Sequence, residues 1–92
     1  MKYSEVIECR VYASKGSIEP LENEKVKVVI ESKDVVAPEV IIVGEYGFEG
    51  YLEAKWEIFL LEAFINGVTY EGYISENKKK NNSFGIVLNK KI

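Results

Sequence analysis

The chain predicts an all-β fold: a small antiparallel β-sandwich of about seven short strands, in a single domain spanning residues 1–92. Three observations carry this reading. Apolar and polar residues alternate over Glu5–Ala13, Lys25–Glu31 and Leu52–Leu60, the period of a strand with one buried face. Asn66-Gly67 stands between two strand-like runs, and a type I′ turn needs positive φ at both central residues, which Asn-Gly tolerates best. Six Tyr, four Phe and many Val and Ile favour strands.

The elements follow in order. In Glu5–Ala13, Ile7, Cys9, Val11 and Ala13 share one face, with Glu8, Arg10 and Tyr12 on the other. Ser14–Ser17 breaks the run, and Pro20 keeps the residue before it extended. Lys25–Glu31 places Val26, Val28 and Ile30 inward, and residues 33–38 form a connection. Val40–Val43 is an apolar run of strand length, punctuated afterwards by Gly44, Gly47 and Gly50. Tyr51–Phe64 is ambiguous. As a helix its apolar residues fall all round the wheel, whereas as a strand Leu52, Ala54, Trp56, Ile58 and Leu60 share a face, so strand is favoured. The expected hairpin then sets Ile65 opposite Val68, Ala63 opposite Tyr70 and Glu62 opposite Glu71. Glu76–Ser83 reads as a polar loop or hairpin tip, and Phe84–Asn89 as the last strand, with Phe84, Ile86 and Leu88 inward. The expectation is that no helix exceeds two turns. A small closed barrel of OB or SH3 type is the alternative architecture.

Composition narrows the chemistry. Hydrophobic residues make up 47% of the chain, enough for one packed core without metal or disulfide. No window of about 18 apolar residues occurs, so no membrane contact is expected. Met1–Glu5 has no apolar run after a basic start, so no signal peptide is expected. The location would be cytoplasmic for a whole chain and extracellular for a piece of a longer one. The single cysteine, Cys9, reads as a small inward apolar residue. The absence of His removes the usual general base and the commonest zinc ligand, so Ser-His-Asp and Cys-His sites are excluded. The chain is read as not an enzyme, with no cofactor and no metal. Glu62 and Glu71 read as solvated carboxylates rather than a shared cation site, since only Asp34 joins the glutamates. Residues 1–76 carry fifteen acids against seven Lys and Arg, whereas residues 77–92 carry five Lys and no acid. An acidic body repels phosphates, so no nucleic-acid partner is expected.

Arg10-Val11-Tyr12, a turn with Gly16, Pro20-Leu21 and Val26-Lys27-Val28 are followed by Tyr46-Gly47-Phe48, Trp56-Glu57-Ile58 and Asn66-Gly67-Val68-Thr69-Tyr70. This order, over residues 6–88, resembles the transthyretin-like sandwiches: carboxypeptidase regulatory-like domains and the B-type repeats of collagen adhesins. The resemblance implies an immunoglobulin-like sandwich that stabilises, spaces or presents something else. Two positions depart from it. Glu53-Ala54-Lys55 stands where Pro-Pro-Gly is common. Arg10 stands where the adhesins carry an isopeptide lysine, so no crosslink to Asn89 is expected.

The function expected is a non-catalytic binding or scaffold module. It would contact a protein partner, or a second copy, through an edge strand, a sheet face or end loops. Tyr46, Phe48, Tyr51, Tyr73, Lys78, Lys79 and Lys80 are the candidate contact residues: aromatics near turns and a basic tip. The alternative is a small barrel that binds single-stranded nucleic acid through exposed aromatics and that tip.

Overall fold

The computed structural model describes residues 3–31 and 38–91, and its strands close on themselves. In chain order the elements are β1 (Val6–Ala13), β2 (Lys25–Glu31), β3 (Glu39–Gly44), β4 (Glu49–Leu52), α1 (Ala54–Ile65), β5 (Tyr70–Lys80) and β6 (Ser83–Lys90). The strands run β1-β4-β3-β2-β5-β6 around a closed barrel in which every neighbouring pair is antiparallel. The seven-strand sandwich is therefore corrected to a six-stranded barrel, and the small barrel held as the alternative is the architecture that forms. The closing element is β1. It pairs with β6 from Val6↔Asn89 to Tyr12↔Ser83, and on its other side with β4 over Val11↔Leu52 to Ala13↔Gly50. Strand alternation is the same in a sandwich and a barrel; this long-range pairing separates them. Closure also removes most of the free edges that a sandwich would offer, except where β2 runs on past its pairing with β5.

Most inward positions read from the alternation join the core, with Val40 and Ile42 from the apolar run, while Cys9, Ala13, Val28 and Ile30 are only partly buried against it. Ile7, Val11, Val26, Val40, Ile42, Phe84, Ile86 and Leu88 are buried in one cluster, and Phe48 meets Phe84 edge to face at 5.8 Å. Glycines let strands approach where the barrel turns. A Cβ on Gly72 would stand 1.7 Å from the carbonyl oxygen of Val87, and one on Gly50 would stand 2.6 Å from that of Tyr12. The buried carboxylate of Glu24 accepts the backbone N–H groups of Leu21 and Tyr46, each at 2.9 Å, and so ties the segment before β2 to the β3–β4 turn. The tight hairpin lies at Asn81-Asn82, between β5 and β6, where φ is 52° and 60°. The polar tip expected over Glu76–Ser83 narrows to this pair, since Glu76–Lys80 continue β5 and Ser83 opens β6. The expected connection at 33–38 lies, except for Pro38, outside the described residues, as does Asp34.

The largest difference lies between Ala54 and Gly67. The expected strand and hairpin are a twelve-residue helix and its terminus, which overturns the expectation of no helix beyond two turns. At its C-terminus Val68 N–H bonds to the Ala63 carbonyl at 2.8 Å and Gly67 N–H to the Phe64 carbonyl at 3.0 Å. This is a Schellman ending with Gly67 at φ +79°. Positive φ at Gly serves a helix end as well as a type I′ turn, so Asn66-Gly67 fits both. The pairings of Ile65 with Val68, Ala63 with Tyr70 and Glu62 with Glu71 are corrected with it; Glu71 instead lies 3.4 Å from Lys91 Nζ.

Candidate functional site

Helix α1 fills the place where the strands part. β2 pairs with β5 over Lys25–Lys27, and beyond that point Val28 and Ile30 face the helix across a cleft of about 120 Å³. Leu60, Phe64, Val68, Thr69 and Tyr70 complete its lining. The cleft is well below the ≈ 300–1,000 Å³ of small-molecule sites. Ala, Leu, Glu and Lys dominate the segment, and all four are strong helix formers. The Glu53 carbonyl accepts the first helical N–H groups, from Trp56 at 3.0 Å and Glu57 at 3.1 Å. Glu57 stands in the first turn, where a carboxylate favours the positive end of the helix.

The inner face is well anchored. Leu60 and Ala63 are buried, and Phe59 meets Tyr3 edge to face at 5.6 Å and Trp56 at 5.8 Å. Tyr70 donates its hydroxyl to the Ser4 carbonyl at 2.6 Å, and Asn66 Nδ2 donates to the Tyr3 hydroxyl at 3.0 Å. The segment before β1 is thereby held against the helix.

The outer face is also apolar. Ala54, Ile58, Leu61 and Ile65 recur at intervals of four, three and four and form one stripe, in which Ala54, Ile58 and Ile65 are exposed and Leu61 is half-buried against the core at its edge. Ile58 is 57% exposed, Ile65 79%, and Phe64 beside them 52%. Lys55 and Glu62 border the stripe on one flank, and Glu57 and Phe64 on the other. A helix that is apolar all round is ordinarily covered all round. Here the barrel covers one side, and Ile58, Phe64 and Ile65 remain exposed away from it; grouped exposed apolar side chains are the usual mark of an interaction surface.

Near the start of the helix, Cys9 on β1 is half-buried. Burial pushes its thiol up to about 11; the Glu53 carboxylate adds to the rise and Lys55 opposes it. The thiol is therefore protonated at neutral pH and unreactive.

The residues singled out from the sequence do not converge. Tyr46 is exposed in the β3–β4 turn. Phe48 lies fully buried in the core and presents nothing to a partner, a correction to its candidate role. Tyr51 stacks on Tyr12 at 5.8 Å on the β4–β1 wall, and Tyr73 lies on β5, three strands away around the barrel. Lys78, Lys79 and Lys80 lead into the β5–β6 turn, where Lys79 Nζ is 3.6 Å from Glu19. The residues that do share a surface, Ile58, Leu61, Phe64 and Ile65, were not singled out. Their signal was present in the sequence as the spacing of Ala54, Ile58, Leu61 and Ile65.

Among the described residues no three His, Cys, Asp or Glu side chains gather in a metal-holding group. No helix among the described residues is long and apolar enough to cross a membrane. Comparison with protein-family models, curated proteins and solved structures finds no match for this chain.

Proposed function

We propose that this protein is a non-catalytic protein-binding module whose contact surface is the outer face of α1. The observation that carries the reading is the exposure of Ile58, Phe64 and Ile65, with the half-buried Leu61 between them, on a helix whose other face is already packed. Leaving such side chains in water forgoes about 25 cal/mol for each Å² of apolar surface that a partner would cover. The barrel acts as a rigid mount: β3, whose Val40 N–H donates to the Glu57 carboxylate at 3.5 Å, and the Tyr3–Ser4 clamp fix the helix, so little order has to be gained on binding. The nucleic-acid alternative keeps its barrel, but its aromatics are dispersed, and Lys79, Lys90 and Lys91 stand beside acids.

Photo-crosslinking from position 58 in the cell that makes the protein tests the reading. A discrete crosslinked protein at position 58, absent when the photoreactive residue stands at Tyr51, is the expected result. Position 58 giving no adduct above the Tyr51 background would defeat it.

A further inference from the structure

We infer that the outer face of α1 pairs with the same face of a second copy of this chain, the two helices running antiparallel about a two-fold axis between Ile58 and Leu61. The inference rests on the protein-binding reading of that face and names its occupant. Three observations lead to it.

The stripe is self-complementary about that axis. Ile58 meets the part of the second copy's half-buried Leu61 that its own barrel leaves uncovered, and the reverse contact follows. At each end the largely exposed Ile65 lies over the small Ala54 of the other helix, so bulk faces lack of bulk. This is the reciprocity that a two-fold interface requires.

Charge selects the antiparallel direction. Lys55 and Glu62 lie on the same flank, seven residues apart. In an antiparallel pair each flank meets its own kind, so Lys55 faces the second copy's Glu62 and Glu62 faces its Lys55, giving two opposite-charge contacts. In a parallel pair each flank meets the other one, and Glu57 would face the second copy's Glu62, a like-charge contact made twice.

Area sets the strength. A twelve-residue helix is about 18 Å long, and one side of it covers less than the ≈ 800 Å² per partner of a standard interface. The pair is therefore a weak dimer, with a dissociation constant above about 1 μM.

Sedimentation equilibrium from about 5 to 500 μM protein in about 150 mM salt tests this on the full chain, with thermal melts confirming that each variant is folded. The expected result is a monomer–dimer equilibrium that Ile58→Asp abolishes. Lys55→Glu alone and Glu62→Lys alone should each weaken it at least about threefold, and the two together should restore it. A monomer at every concentration overturns the inference. So does a dimer indifferent to Ile58→Asp, or a double charge reversal that fails to rescue. If the chain stays monomeric while position 58 still crosslinks to a different protein, the self-pairing fails and the protein-binding reading stands. If neither occurs, both fail.

Discussion

Val68 donates its backbone N–H to the carbonyl of Ala63 at 2.8 Å, across the turn made by Gly67. This one bond distinguishes a helix end from a β-hairpin. It takes the chain out of α1 and brings Val68 and Thr69 back over the cleft beside Leu60 and Phe64. The outer stripe exists because the chain is helical up to that point.

Gly67 is held at φ +79°, with open space where a Cβ would be. Its requirement is therefore conformational rather than steric. Gly67→Val is expected to cost more than about 1 kcal/mol in urea unfolding, because a β-branched residue resists the left-handed region. A D-alanine at the same position, introduced by chemical synthesis, should stabilise the fold. A D-alanine as harmful as valine would show that the space is not open.

At Gly72 the constraint is steric. The Cβ of an alanine would meet Val87 O, Val87 C and Leu88 Cα within 1.7–2.9 Å, all of them backbone atoms. Relief requires β5 and β6 to separate. Gly72→Ala should therefore cost at least about 3 kcal/mol, the upper range of overpacking, or prevent folding. A melt within experimental error of wild type would mean that the β5–β6 crossing is looser than described.

Arg10 and Glu76 give the fold a pH dependence with a defined sign. The Arg10 hydrogen bond, then its charge, hold the Glu76 carboxyl below its ordinary value of 4.5. A carboxylate whose value falls on folding stabilises the fold above its unfolded value and loses that contribution as pH drops below it. Wild type should therefore melt higher than Glu76→Gln at pH 7, with the gap closing as pH falls below 4.5. A gap that stays constant down to pH 3 would show that the pair contributes through packing alone.

The strands were legible where one face is buried and the other wet. Ile7, Val11, Val26, Ile86 and Leu88 alternate because each strand has a core side and a solvent side, and the structure buries them as read. The helix was hidden by its second apolar face. Trp56, Leu60 and Ala63 on the inner side and Ala54, Ile58, Leu61 and Ile65 on the outer side are two helical stripes laid over one another. Sampled at every second residue, from Leu52 to Leu60, the overlay imitates a strand. The wealth of Ala, Leu, Glu and Lys from Leu52 to Ala63 pointed the other way. Barrel closure was not legible at all, because it depends on β1 reaching both β4 and β6, residues 37 or more positions away. The ambiguity that concealed the helix and the surface proposed as the site have the same origin: of the apolar residues that blurred the helical pattern, Ala54, Ile58 and Ile65 are exposed and Leu61 is half-covered.

The central claim is that the outer stripe is spare within its own chain, and the stability of Ile58→Gln with Ile65→Lys tests it most directly. Measured by urea unfolding at about 0.1 μM, well below the dissociation constant of the proposed pair, the double variant should lie within about 1 kcal/mol of wild type. Exposed positions away from packed features change little, and Lys suits the last turn of a helix. A loss of more than about 3 kcal/mol, the scale of emptying a core site, would show that Ile58 and Ile65 pack against their own barrel and that no docking face exists.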